Sequence, residues 1–410
     1  MRIIRKRCLG LDLHKKQITA HLRVHQDLAA DPERTDRRFG TMPGELLELR
    51  QWIIEQQVTD VVMESTSVYW MHVYEVLEDI TIPALVNASH VKKVPGRKTD
   101  VNDAQWLTDL HAHGLLRLSF VPPKPIRELR SVARYRTKLV AMRTAGQNRT
   151  IKLIETAGIK LSSVVSDSFG KTGRAILDEL VKGPLDQERI AGLAKAALRK
   201  KVPQLHAAVG APLTDRQREL LEMHLRIYDA LDAQIAQAEL KMRTLAEPFK
   251  EQIQLLDEIP GINELAAITV LAETGTDMAV YRNEHHLTSL AGLAPGNSIS
   301  ADKRRRVPMP KGNRYLKRIC VQIAWAASRT TASFHSSRFR RLTYRIGRNK
   351  AIVATARHLL IVIYRVLLRT EHYKELGANF YDCRNRERSA RTFVQRLEKL
   401  GFTVKLEPAS

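Results

Sequence analysis

Three strand-like segments precede the first helix, and this order restricts the chain more than any other feature. Cys8-Leu-Gly-Leu-Asp-Leu, Gln17 to Val24 and Arg37 to Thr41 read as strands; a helix over about 43–57 and the strand Val61-Val-Met-Glu-Ser follow. The alternation continues with a helix after Tyr69, an apolar strand at 82–86 and a helix over about 100–113. These elements predict an α/β domain ending near residue 115.

Beyond it the pattern changes to helical. Residues 125–155 are rich in Arg and Lys, with Leu129, Val132, Leu139, Met142 and Ile151 at helical spacing, which predicts one long basic helix. Between Thr214 and Pro248, Leu220, Ile227, Leu231, Ile235, Ala238, Met242 and Leu245 are spaced as a coiled-coil seam requires, with Thr214 or Asp215 as the cap. That helix either packs within its own domain or pairs between subunits. A second globular region runs from about Leu255 to Leu376, opening on Glu258-Ile-Pro-Gly-Ile, either a phosphate-binding helix–hairpin–helix turn or a plain one. The last stretch, Asp382 to Ser410, is charged and reads as a peripheral helix or a tail.

A chain of 410 residues is long enough for two or three such domains. Its 67 Lys and Arg against 44 Asp and Glu give a net charge of +23, which points to a polyanionic partner, nucleic acid before an anionic membrane surface. The longest apolar stretch, 351–368, is interrupted by Arg357, His358 and Arg365, so no membrane span is expected. The basic N-terminus lacks the apolar core of a signal peptide, and a cytoplasmic protein is expected. Cys8, Cys320 and Cys383 are too scattered for a disulfide framework or a zinc ribbon.

Asp12 lies among strand-forming apolar residues, where an unpartnered carboxylate is costly, and Glu64 ends a second apolar strand in the same way. Asp100 and Asp103 are three apart, so on a helix they share a face and their repulsion calls for a cation; Asp100 has the alternative role of helix cap. Four hard oxygen ligands from three elements suit Mg²⁺ or Mn²⁺ and the phosphoryl-transfer chemistry such ions support.

A second constellation runs from Gly292-Leu-Ala-Pro-Gly-Asn-Ser-Ile-Ser-Ala-Asp-Lys-Arg-Arg-Arg to Lys311-Gly-Asn-Arg. Its turn formers predict a loop holding Ser298 and Ser300, with Lys303, Arg304, Arg305, Arg306, Lys311 and Arg314 as phosphate contacts. A serine there has two readings: a nucleophile toward phosphorus, or a hydrogen-bond donor in a loop that grips the backbone. Other signals count for less. Phe169-Gly-Lys-Thr ends like a Walker A loop but has Val165 where glycine is required; His111 and His113 could bind a metal but read rather as a helix-end pair, and Tyr69-Trp70, beside Glu64, could stack on a base but read rather as residues packed on the sheet.

Taken together, the chain resembles the DEDD transposases of the insertion sequence 110 family, relatives of the pilin-gene invertases. The resemblance rests on Gly10-Leu-Asp12 with His14-Lys15, Met63-Glu64-Ser-Thr, Lys98-Thr-Asp100-Val-Asn-Asp103-Ala and Phe169-Gly-Lys-Thr-Gly-Arg-Ala-Ile-Leu. Ile259-Pro-Gly-Ile and Gly292-Leu-Ala-Pro through Lys311-Gly-Asn-Arg-Tyr-Leu complete it. It implies a RuvC-like domain of the ribonuclease H fold over 1–115, with Asp12, Glu64, Asp100 and Asp103 as a Mg²⁺ tetrad. A basic continuation at 116–212, a coiled coil at 213–250, a mostly α-helical transposase domain at 251–376 and a tail at 377–410 follow from it. It further implies a catalytic serine in the transposase domain, donor and target DNA as substrates, a non-coding bridge RNA as guide, and a homodimer or homotetramer. Where family members carry Ser-Ser-Gly-Gly-Lys, this chain has Ile299-Ser-Ala-Asp-Lys303, which aligns Ser300 with the nucleophile, leaves Ser298 as the alternative and gives Asp302 no assigned role. The expected function is strand cleavage and exchange; the alternatives are a hydrolytic junction-resolving nuclease and a non-enzymatic nucleic-acid-binding protein.

Overall fold

The computed structural model describes residues 3–26, 31–64, 68–81, 83–87, 91, 103–295, 298–300, 303–305, 309–384 and 386–405, with the backbone alone at 298–300, 303–305 and 388–389. The chain folds as two units, Met1–Val121 and Pro122–Ser410.

The first unit comprises β1 (Arg7–Leu13), β2 (Ile18–Val24), β3 (Glu33–Phe39), α1 (Pro43–Glu55), β4 (Asp60–Glu64), α2 (Tyr69–Leu77), β5 (Ala84–Val86), α3 (Asp103–Ala112) and β6 (Leu118–Ser119). Its six strands form one mixed sheet in the order β3-β2-β1-β4-β5-β6, parallel at β1–β4 and β4–β5 and antiparallel elsewhere. Successive strand residues face opposite ways. Leu9, Leu11 and Leu13 of β1 and Val61 and Met63 of β4 therefore join Leu46, Leu49 and Trp52 of α1 and Leu77 of α2 in one core. Val62 packs on the other face with Val86, Leu107 and Leu110, under α3.

The helix α3 runs antiparallel to β1, and polar contacts fix its direction. Ile4 N–H donates to the Ala112 carbonyl at 2.9 Å, Arg5 Nη1 to the His111 carbonyl at 2.8 Å, and Thr108 Oγ1 to the His21 carbonyl at 3.0 Å. Arg23 adds an ion pair to Asp109. Between these anchors the helix touches the sheet at Gly10, where a Cβ would overlap Thr108 Oγ1 and the Ala104 carbonyl.

The expected strand at 37–41 lies instead at Glu33–Phe39. All of it but Phe39 is exposed, so apolar alternation gave no signal and the ladder to β2 sets its position. Its charged side chains suit a sheet edge that must not pair with another chain.

The second unit is mostly helical. Helix α4 (Lys124–Thr156) lies antiparallel to α9 (Asp215–Ala246); between them come α5 (Leu161–Val164), α6 (Lys171–Lys182), α7 (Gln187–Leu193) and α8 (Val202–Val209). Thr214 caps α9 in a reciprocal box with Gln217, as expected. The seam expected along α9 divides. Leu231, Ile235 and Ala238 pack on Val132 and Leu139 of α4, whereas the N-terminal half buries Leu221 and Leu225 in a core with Ile176, Leu177 and Leu205. Leu220 and Ile227, assigned to the seam from spacing, are exposed because this half packs on a cluster of short helices and so turns a different face inward. Phe169-Gly-Lys-Thr-Gly is part of that packing: Phe169 stacks on Tyr228 with centroids 4.6 Å apart, and Arg174 binds Asp178 and Asp229.

The remainder comprises α10 (Lys250–Asp257), α11 (Glu264–Thr274), α12 (Glu284–Leu290), β7 (Ser298–Ser300), β8 (Lys303–Arg305), α13 (Arg314–Arg329), α14 (Phe334–Ile346), α15 (Arg348–Arg369), α16 (Phe380–Arg384) and α17 (Arg386–Glu398). In Ile259-Pro-Gly-Ile, Gly261 has φ +92° and backs onto the Ala327 backbone of α13, so the turn is a packing corner between helices. Among the described residues α15 alone is long and apolar enough to cross a membrane, and its apolar face packs on α12, α13 and α14.

Two outcomes test this account. Gly10→Ala should destabilise the first unit by roughly 1–3 kcal/mol through overpacking, read as a lower urea midpoint by tryptophan fluorescence, since Trp52, Trp70 and Trp106 belong to it and only Trp325 to the other. Burial lowers the pKa of His335 to about 4 and that of His358 to about 3. The unfolded chain therefore takes up protons first as pH falls below about 6.5, so stability is full above that pH and declines toward pH 4. His335→Gln should flatten the dependence of the urea midpoint on pH in that window.

Candidate functional site

Asp12 is the penultimate residue of β1, and Glu64 the last of β4. The parallel register pairs Gly10 with Val62 and Leu11 with Met63, so Asp12 and Glu64 occupy the next level of the two strands. Both alternate onto the face of Gly10 and Val62, which α3 covers. Because α3 runs antiparallel to β1, with Ala112 near Ile4 and Ala104 over Gly10, its first residue, Asp103, is directed toward the end of β1 that holds Asp12. Three of the four expected carboxylates thus come from β1, β4 and α3 to one end of one sheet face; Asp100 lies outside the described residues.

Asp12 is about four-fifths buried, and its Oδ2 lies 3.1 Å from His14 Nε2. Glu64 is half-buried and Asp103 exposed. Among the described residues no three Asp, Glu, His or Cys side chains gather closely enough to hold an ion. Asp12, Glu64 and Asp103 would offer carboxylate oxygens, the type that Mg²⁺ and Mn²⁺ take. Of the histidines set aside earlier, His111 is buried and His113 Nδ1 lies 2.7 Å from the Asp109 carbonyl.

The serine-bearing segment was expected as a loop, and its backbone instead forms the antiparallel pair β7–β8. The sequence Ser-Ile-Ser against Lys-Arg-Arg has β-branched Ile299 at its centre, while the surrounding Gly, Pro and Asn dominate the composition. The register pairs Ser298 with Arg305, Ile299 with Arg304 and Ser300 with Lys303. Arg306 and Asp302 lie outside the described residues; Lys311 and Arg314 are exposed.

The base of this segment is held closed. Gly292 has φ +65°, and a Cβ on it would stand 2.7 Å from the Pro310 carbonyl; one on Gly312 would overlap the Gly292 backbone. Asn313 N–H donates to the Leu290 carbonyl at 2.7 Å, and its Oδ1 caps α13 by accepting from Tyr315 and Leu316 N–H. Asn313 Nδ2 in turn donates to Glu273 Oε2 at 2.6 Å. Glu273, on α11 and 1% exposed, also receives both prongs of Arg134 at 2.7 Å, while Arg130 donates to the Ala272 and Glu273 carbonyls. The Glu273 hydrogen bonds push the Arg134 pKa above its usual value. Sequence reasoning did not single out Glu273, although a carboxylate in Leu265-Ala-Ala-Ile-Thr-Val-Leu-Ala-Glu273 carries the signal that marked Asp12.

A second signal also went unread. From Lys303 to Thr370 the sequence has recurrent Lys and Arg and no Asp or Glu. On α14 and the start of α15 this leaves Arg340, Arg345 and Lys350 exposed around Tyr344, which is 93% exposed, while Arg348 lies 4.8 Å over the Trp325 ring. Exposed cations with an open aromatic ring suit a nucleic-acid surface.

Comparison with known proteins finds two family models on this chain. Residues 9–158 match the family model of the DEDD transposases of IS110, and residues 253–338 match that described as Transposase IS116/IS110/IS902 family. The chain is 25% identical to the transposase for insertion sequence element IS1111A of Coxiella burnetii over 74% of its length and 76% of the relative's. It is also 25% identical to a probable family 20 transposase of Pseudomonas aeruginosa over 68% of this chain and 75% of that one. An uncharacterized 42 kDa protein of insertion element IS900 from Mycobacterium paratuberculosis is 28% identical over 34% of this chain and 35% of its own length.

Arg134→Ala strands the buried Glu273 carboxylate and should destabilise the second unit by about 3–5 kcal/mol. Replacing the pair together, Arg134→Met with Glu273→Met, should cost less than the sum of the single changes, a coupling that a double-mutant cycle in urea measures.

Proposed function

We propose, from the premise that the chain belongs to the IS116/IS110/IS902 family of transposases, that it cuts and rejoins DNA strands through a serine nucleophile and a carboxylate metal site. The observation that carries this reading is the division of motifs. The first family model spans Asp12, Glu64, Asp100 and Asp103, and the second spans Ser300 with its cations. The sheet order β3-β2-β1-β4-β5, with β2 antiparallel to a parallel β1–β4–β5 core, supports a RuvC-like domain of the ribonuclease H type.

In this mechanism Ser300 Oγ attacks the scissile phosphorus and forms a phosphoserine ester. The displaced oxygen leaves as the hydroxyl of the other strand end. A hydroxyl from a second strand then attacks the same phosphorus, restores the serine and joins the new pair of ends. The exchange conserves phosphodiester bonds and needs no external energy source. Lys303, paired with Ser300 across the hairpin, and Arg304, Arg305 and Arg306 offset charge on the phosphate; Lys311 and Arg314 hold the backbone beside it. Asp12, Glu64, Asp100 and Asp103 would hold Mg²⁺ or Mn²⁺, which supplies Lewis-acid stabilisation of phosphoryl oxygens when bound.

The acid-free helices α13 to α15 suit the backbone of a structured bridge RNA as well as DNA. Strand exchange requires several ends to be held together, and the exposed Leu220, Met223 and Ile227 of α9 give a second subunit a surface for a dimer or tetramer. We place the protein in the cytoplasm, where its nucleic-acid partners are.

The test is a denaturing gel of the protein with co-purified RNA, donor DNA and Mg²⁺. Wild type should give a protein–DNA adduct that both Ser300→Ala and Asp12→Ala abolish. Cleavage without an adduct that survives Ser300→Ala would establish a hydrolytic nuclease instead. An adduct retained by Ser300→Ala and lost in Ser298→Ala would move the nucleophile to Ser298.

A further inference from the structure

Beside the carboxylates, on the opposite face of β1, the first unit has a cleft of about 230 Å³. Its floor includes Leu13 and Ile18, both buried; Tyr69 stands in its wall, and His14, Lys15 and His72 stand at its rim. The cleft and the candidate site meet at His14, whose ring lines the cleft while its Nε2 lies 3.1 Å from Asp12 Oδ2.

Tyr69 and Trp70 both begin α2, and the structure gives them different roles. Trp70 packs against the core and meets Tyr74 edge-on, with ring centroids 5.9 Å apart. Tyr69 remains 37% exposed in the cleft. Cavities for drug-sized ligands run to roughly 300–1,000 Å³, so this one has room for a single flat ring system. An apolar floor, an aromatic wall and Lys15 at the rim, with no acid among the described lining residues, suit a nucleobase whose own phosphate stays outside, near Lys15.

We propose that the cleft takes one unpaired base of the nucleic-acid strand held at the carboxylates, stacked on Tyr69, with Lys15 at the adjoining phosphate. This rests on the reading of Asp12 and Glu64 as the strand-cleavage site. It gives that site a preference for an unstacked nucleotide beside the scissile bond, because a base still paired in a duplex cannot enter.

The test uses the full-length protein without added metal, so that neither the carboxylates' chemistry nor Ser300 is required. Single-stranded DNA and RNA oligonucleotides carrying one 2-aminopurine are titrated with wild type, Tyr69→Ala, Tyr69→Phe and Lys15→Gln, beside the same label within a duplex. Wild type and Tyr69→Phe should quench the single-stranded label alike, and Tyr69→Ala should bind it about tenfold more weakly. Lys15→Gln should keep the quenching at saturation and reduce the salt dependence of binding. Tighter binding of one strand chemistry identifies the source of the base. Equal affinity of wild type and Tyr69→Ala, with both folded by circular dichroism, overturns the proposal, as does equal quenching of the duplexed label. Quenching lost in Tyr69→Ala, together with no adduct in the denaturing gel, would leave the cleft standing and remove the serine mechanism; the reverse pair would remove the cleft alone.

Discussion

The contact between α3 and the sheet at Gly10 sets the arrangement of the first unit's candidate site. A helix packed on ordinary side chains stands off a sheet by the bulk of those chains, whereas at Gly10 the helix backbone itself meets the strand. Thr108 fills the space and bonds the His21 carbonyl, so the contact is polar and directional rather than a sliding apolar one. The pair Arg23–Asp109 and the Arg5 bond to the His111 carbonyl extend this grip along the helix. Once the direction of α3 is fixed, so is the end of the sheet that receives Asp103. The burial of Leu107 and Leu110 stabilises this placement without specifying it, because apolar contacts alone would tolerate a shift of the helix.

The second unit solves a similar problem with charge. The two ends of the segment 293–311 are held by backbone contact at Gly292 and Gly312 and by Asn313. Glu273 binds Asn313 and Arg134 together, linking α11, α13 and α4 at one buried carboxylate. A hydrophobic contact could hold these helices as firmly, but a carboxylate with hydrogen bonds from fixed directions admits few alternative registers.

What the sequence disclosed follows the range of each interaction. Strands β1 and β4 were legible because their alternation is local, and α4 and α9 because their apolar spacing persists over many turns. Strand β3 begins four residues earlier and ends two earlier than expected because its position depends on pairing with β2 and its own side chains are exposed. The α9 seam was half right for a related reason: Leu221 rather than Leu220 is buried, since the helix changes partners along its length. Glu273 was missed because its partners Arg130, Arg134 and Asn313 lie far away in sequence, and neither spacing nor composition indicates which distant cation completes a buried carboxylate. Asp12 and Glu64 were singled out as candidates by the same chemical argument that could have singled out Glu273, and their placement at one end of the sheet required the fold.

The net charge of +23 is also less uniform than composition implies. Along α4 and α6 several arginines are engaged: Arg134 with Glu273, Arg136 with Glu239, Arg143 with Asp232 and Arg174 with Asp229. Long basic helices of this kind therefore hold the framework, and the basic character of 125–155 is in large part structural. From Lys303 to Thr370 the chain supplies no acid of its own. Arg341 and Arg365 find Asp382 and Glu284 from outside the stretch, while Arg340, Arg345 and Lys350 stand open around Tyr344. A polyanion is attracted by cations that the protein has not already neutralised, so the surface that recruits nucleic acid is defined by where acids are missing rather than by where arginines are most frequent.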